Sequence, residues 1–231
     1  MEKKIIFWVI SLSLVAIALA ILLPGGRTVD THPRLPWDIQ ITPQGDVRVF
    51  ELTLGKSTLA EARSGFKLQG EVSLFVDPSG TPALEAYFER VFLSGLRADF
   101  ILVLDAGREE LERLYANGSR IRRTTETTRK VTLSGEDLER VGNFPIKLIN
   151  YLPYANLSDE LVARRFGQPA EKLTERKNGV THWIYPRRGL SIALSPKGKD
   201  LIQYMPLEEI EALKKRIEES NSTPEAVTGK G

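Results

Sequence analysis

The chain has 231 residues, 32 basic and 30 acidic side chains, a net charge of +2 and no cysteine. This near balance lacks the basic excess of a nucleic-acid binder, so no nucleic-acid partner is expected. The missing thiols exclude disulfides, zinc–thiolate sites and cysteine nucleophiles, and a cysteine-free chain fits a bacterial envelope.

Residues 5–23 (IIFWVISLSLVAIALAILL) carry no charge. That stretch of about 19 residues is close to the roughly 20 that cross a hydrocarbon core of about 30 Å. Lys3 and Lys4 precede it and Pro24-Gly25-Gly26 ends it. Residues 1–23 read as a transmembrane signal anchor, with a weak positive-inside bias that keeps the N-terminus in the cytoplasm. Ala18-Leu19-Ala20 also has the small-x-small pattern of a signal peptide cleaved near Ala20, although the apolar run continues to Leu23. A buried core helix is the third reading, and the Pro/Gly break opposes it. The expectation is a single-pass inner-membrane protein whose C-terminal part lies in the periplasm, or a secreted one after cleavage.

Residues 24–37 are rich in proline and glycine and read as an extended linker. A first α+β unit is expected over 38–118. Ile39 and Ile41, a turn at 43–46, and the alternation from Val47 to Leu54 suggest a hairpin with Arg48, Phe50, Leu52 and Leu54 on one face. Thr58 and Glu61 have capping-box spacing before a short helix at 58–65. Glu71 to Asp77 alternates cleanly, Asp77-Pro78-Ser79-Gly80 has type I turn chemistry, and 84–93 returns as a strand. The run from Ala98 to Leu104 reads as a strand covered on both faces. A helix follows at 108–117 with Gly118 as its cap.

A second unit is expected over 119–219. Its parts are an exposed threonine-rich strand at 120–130, a short helix opened by Ser134 and Asp137, and an apolar stretch at 146–152. A helix from Ser158 to Phe166 is stopped by Gly167 and Pro169. Strands follow at 180–185, 190–194 and 201–205, then an amphipathic helix at 207–219. Residues 220–231 are small and polar, and disorder is expected there. Thr58 to Phe66 and Ser158 to Phe166 share a cap-to-Phe spacing, which raises a tandem pair of helix-plus-three-strand units.

Ser158-x7-Phe166-Gly167-x-Pro169, then Trp183-x-Tyr185, then Gly189-x2-Ile192 resembles the BamE-type (SmpA/OmlA) small outer-membrane assembly module over about residues 155–206. The layout is also similar to tandem inhibitors that bind β-lactamases. The resemblance implies an envelope interaction module. Members of the family are typically single-module lipoproteins; this chain is about twice as long and has no cysteine to carry lipid.

Neither catalytic, metal-binding nor cofactor-binding residues emerge. His32 lies in the linker, and alternation puts His182 and Trp183 on opposite faces. Asp99 and Asp105 flank the 100–104 run, as acids that end a buried strand do. Arg120/Arg122/Arg123, Arg164/Arg165 and Arg187/Arg188 are either solvated charges paired with Glu109, Glu110 and Glu112 or contacts for anionic groups. Trp183 and Tyr185 are either core or a protein-binding patch. With Arg187 and Arg188 they are the candidate interaction residues. The expected fold is α+β, antiparallel β-meanders packed against short helices behind one N-terminal transmembrane helix. The expected function is a non-enzymatic envelope protein that binds the membrane through that helix and an envelope protein through its periplasmic part. The alternative is a periplasmic enzyme or small-ligand carrier.

Overall fold

A computed structural model describes residues 33–77, 80–118, 120–123 and 129–222. The expected anchor and the tail beyond Ser222 lie outside them, as does the linker up to residue 32. No helix among the described residues is long and apolar enough to cross a membrane.

The described chain is α+β, with two antiparallel sheets and five helices. The small sheet holds β1 (Gln40–Ile41), β2 (Val47–Val49) and β3 (Leu52–Thr53). The expected hairpin is present, with Ile41 paired to Val47, but its second strand does not run on to Leu54. The chain turns again at Phe50 and Glu51, both at positive φ (54° and 66°), so that Val49 pairs with Leu52. Two successive left-handed residues match the right-handed strand twist of a tight hairpin. Phe50 keeps that conformation because its ring is packed on three others. It stacks on Tyr151 at 5.5 Å and meets Phe100 and Tyr204 edge-on at 5.1 and 5.5 Å.

Helix α1 (Leu59–Phe66) starts at Thr58 with the expected capping box. The Glu61 N–H donates to Thr58 Oγ1 (3.3 Å) and the Thr58 N–H donates to Glu61 Oε2 (2.9 Å). Thr58→Ala removes the side-chain half of this exchange, the acceptor for the Glu61 N–H, with an expected loss of about 1 kcal/mol in urea unfolding.

The large sheet begins with β4 (Glu71–Val76), β5 (Pro82–Leu93) and β6 (Leu96–Leu104), the expected meander. Helix α2 (Arg108–Ala116) leads to a hairpin of β7 (Arg120–Arg123) and β8 (Arg129–Thr132) where one strand was expected. Helix α3 (Gly135–Arg140) and a 3-10 turn precede β9 (Ile146–Pro153). Helix α4 (Asp159–Phe166) is capped by Ser158 Oγ, which accepts the Leu161 N–H at 3.2 Å. Four strands follow rather than three: β10 (Glu171–Thr174), β11 (Thr181–Tyr185), β12 (Leu190–Leu194) and β13 (Leu201–Tyr204). The last helix, α5 (Glu209–Ser222), runs past the expected end at 219. Asn221 holds its final turn, donating to the Thr174 carbonyl (2.8 Å) and accepting the Arg176 N–H (2.8 Å).

Strand order is β10-β11-β12-β13-β9-β6-β5-β4-β8-β7, a single ten-stranded sheet. The apolar stretch at 146–152, now β9, joins its two parts by pairing with β6 on one side and β13 on the other. The expected unit boundary at 118/119 falls inside this sheet, since β8 beyond it pairs with β4 before it.

One face of the sheet is filled. Phe88, Phe100, Tyr151, Ile202, Ile192 and Trp183 run across neighbouring strands in register and are buried with Leu59, Phe66, Val47, Val162 and Phe166 from the elements above. The core also takes in the chain's entry, so the fold already includes Arg34, ahead of the expected start at Asp38. The Arg34 N–H donates to Ser94 Oγ (2.8 Å), its guanidinium donates to the Gly65 carbonyl (2.8 Å), and the buried Tyr204 hydroxyl donates to the Pro36 carbonyl (2.7 Å). Proline at 36 leaves no N–H to satisfy in that buried position.

Candidate functional site

The second face of the sheet is unequally covered. Helix α5 lays Ile210, Leu213 and Ile217 on Ile184 and Met205, with Leu148 and Leu173 at the margin. Register extends the same face across β6, β5 and β4 through Val103, Glu85 and Ser73 in one row and Ile101, Tyr87 and Glu71 in the next. No described helix lies over that part. Ile101, Val103, Phe75 and Glu85 are half-buried and Tyr87 is 38 % exposed, around a shallow pocket of about 200 Å³. The strand β6 is therefore sealed on one face only, unlike the expectation. Burial among these side chains pushes the Glu85 carboxyl above its usual range. At the rim, Lys130 reaches Glu71 (2.6 Å) and lies 5.8 Å from the Phe75 ring centre.

Below this open area sits a buried carboxylate. Pairing in β5 and β6 shifts between Phe88 and Val91, so Glu89 and Arg90 stand opposite Asp99 alone. Arg90 has φ 53°, and its N–H donates to Asp99 Oδ1 at 2.9 Å. The Tyr154 hydroxyl donates to the same oxygen at 2.9 Å, and Lys199 Nζ lies 3.5 Å from Oδ2. Burial pushes this carboxyl up, but the Arg90 N–H, the Tyr154 and Tyr87 hydroxyls and the Lys199 charge outweigh it and hold it below the usual carboxylate range. A general base needs a lone pair aimed at substrate; here the lone pairs pin a β-bulge. A carboxyl with a lowered folded pKa stabilises above its unfolded value of 3.8, and that contribution fades as pH falls through the folded value. The melting-temperature gap between the native chain and Asp99→Asn is expected to hold from pH 7 to 5 and to close below about pH 4, in thermal melts across that range.

The structure separates the four sequence-predicted interaction residues. Trp183 is 2 % exposed and Tyr185 is buried beside it in the core. The Tyr185 hydroxyl donates to the Gly167 carbonyl (2.9 Å) and Arg188 donates to the Phe166 carbonyl (2.9 Å). Both therefore finish helix α4, whose last carbonyls have no partner within the helix. Only Arg187 is exposed. Alternation places Trp183 on the filled face, which explains the correction: the aromatic W-x-Y pair packs inward.

His182 faces the other way, as expected. Its Nε2 lies 2.7 Å from Glu175 Oε1 and its Nδ1 3.5 Å from Ser191 Oγ. This acid–histidine–serine line has the order of a hydrolytic triad. Ser191 is 2 % exposed in mid-strand on the face that α5 covers, so no scissile bond can approach it. Asp105, exposed at the end of β6, closes the strand. Arg165 lies 4.5 Å over the Trp37 ring. Glu110 pairs with Arg113 (2.6 Å) and Arg140 (3.4 Å), and Glu112 with Arg108 (2.9 Å). His32 lies outside the described residues. Among the described residues no cluster of three or more acids and histidines suits a metal ion.

A second depression of about 380 Å³ opens between α4 and the entry segment, with Pro36, Trp37, Leu161, Phe166 and Tyr151 in its walls. Burial pushes the Tyr151 hydroxyl up to about 12. Comparison of the chain with protein-family models, with curated proteins and with solved structures finds no match.

Proposed function

We propose that this chain is a membrane-anchored, non-enzymatic envelope protein whose periplasmic part binds another protein through the open area over β4, β5 and β6. The observation that carries the reading is the half-covered second face. A sheet face is stabilised by a layer that removes it from water, and α5 supplies that layer over one part only. The remainder offers Tyr87, Ile101, Val103 and Phe75 for burial and a carboxyl, Glu85, for a cation. A partner helix with an apolar stripe and one lysine or arginine complements it, continuing the layer that α5 begins. The uncharged run at 5–23 supports tethering, which raises the local concentration of any membrane-associated partner. The helix, corner and aromatic strand at 158–185 support a role in envelope assembly through their BamE-type resemblance. A photoreactive phenylalanine at Tyr87, irradiated in native membranes, is expected to give one discrete protein adduct that Glu85→Lys abolishes. Irradiation that returns only the uncrosslinked chain sinks the proposal.

The depression beside Trp37 favours a second reading, a small-ligand carrier, since its volume falls in the range of ligand sites. Saturable quenching of tryptophan fluorescence by an apolar ligand, lost in Leu161→Glu, is the result that reading requires.

A further inference from the structure

We infer that the end of the large sheet where the chain enters the fold is a docking surface for anionic lipid. The inference rests on the proposed tether. Register gathers one set of loops at that end. The start of β6 pairs with the end of β9, which pairs with the start of β13. The start of β13 meets the end of β12, and the start of β11 meets the ends of both β12 and β10. The β5–β6 turn, the β9–α4 loop, the β12–β13 turn and the β10–β11 loop therefore share one end of the sheet. The chain arrives there too, since Arg34 bonds Ser94 of the β5–β6 turn and Gly65 near the end of α1.

Two properties of this end point to a bilayer surface. It exposes large apolar side chains, Phe92 at 66 %, Tyr154 at 44 % and Leu68 at 40 %. It also exposes Lys67, Arg97, Arg176, Lys177 and Lys197, none of which makes an ion pair with a described residue. The acids among these loops are engaged. Glu89 pairs with Arg90 (3.3 Å), Asp159 with Lys172 (3.3 Å) and Glu175 with His182 (2.7 Å). Glu160 is held by backbone N–H at the start of α4. The opposite end, where β4, β6 and β11 finish, carries charges of both signs, exposing Asp77, Asp105 and Glu109 with Arg108, Arg129 and Arg187. Aromatic and aliphatic side chains interspersed with unpaired cations are the composition that inserts at the headgroup level of anionic membranes. The spacer permits it. From Leu23 to Arg34 runs a segment of about ten residues, which spans at most about 35 Å fully extended. The basic end is where that spacer attaches.

The absence of cysteine lets one introduced thiol carry a nitroxide label. The full chain would be reconstituted in phosphatidylcholine vesicles with and without roughly 30 % phosphatidylglycerol, labelled through Gln69→Cys beside Leu68 or through Glu109→Cys at the far end. Collision with a water-soluble nickel chelate is expected to fall at least about fivefold at position 69 on adding the anionic lipid, and to stay constant at position 109. The surface substitutions Phe92→Asp, or Arg97→Glu with Lys177→Glu and Lys197→Glu, are expected to restore collision at 69 while the thermal melt stays cooperative. Equal collision at 69 in both lipids, or equal shielding at 69 and 109, overturns the inference but leaves the tether standing if the chain still floats with vesicles after an alkaline wash. A chain that washes off overturns both.

Discussion

Gly189→Ala is expected to unfold the chain, with a loss of at least about 3 kcal/mol, a large part of the roughly 5–15 kcal/mol that holds a domain together. Gly189 follows the 3-10 turn between β11 and β12 at φ 57°, a region that itself penalises a side chain by roughly 1–2 kcal/mol. An added Cβ would overlap the Met205 carbonyl oxygen and lie 2.6 Å from Val47 Cγ2. Neither neighbour is free to retreat, because the Met205 N–H donates to the Gly189 carbonyl at 2.8 Å and Val47 is fully buried. Urea titration followed by circular dichroism checks it. Gly135→Ala serves as the control, since a Cβ there meets nothing within 4 Å, and it is expected to change stability by no more than about 0.5 kcal/mol.

Phe100→Ala is expected to cost about 3–5 kcal/mol and to erase the aromatic circular dichroism signal. Its ring sits 5.1 Å from Phe50, 4.7 Å from Phe66 and 5.1 Å from Tyr151, so truncation opens a cavity that three rings line. It also releases Phe50, whose left-handed backbone is sustained by that packing. Ile101→Ala, one residue along but on the open face, is expected to cost less than about 1.5 kcal/mol. The contrast between these neighbours, measured by the same titration, reports which face of β6 is sealed.

What could be read from the chain beforehand was local. The period-2 pattern from Glu71 to Asp77 and the caps at Thr58 and Ser158 carry their own signals, and both helices end on a buried phenylalanine as their spacing implied. The Phe50–Glu51 turn carries none, since neither residue favours positive φ; distant rings impose it. Strand β10 was missed because it is four residues long, carries one apolar side chain, Leu173, and lies at a sheet edge, where charged residues such as Lys172 are common. The place of β9 between β6 and β13 is a long-range pairing that no local pattern encodes. The candidate site was mislocated for a related reason. Alternation shows that Trp183 and Tyr185 share a face but not which face is filled. The open area is formed by Tyr87, Ile101 and Glu85, which read one at a time as ordinary strand residues. Only the extent of α5 singles them out.

Solvent access at Tyr87 tests the central claim most directly. With Tyr87→Cys as the only thiol, alkylation is expected to be fast in the purified chain and at least about tenfold slower in native membranes, where the partner covers the open area. Glu109→Cys is expected to react at one rate in both. Equal rates at position 87 in the two settings would contradict the account.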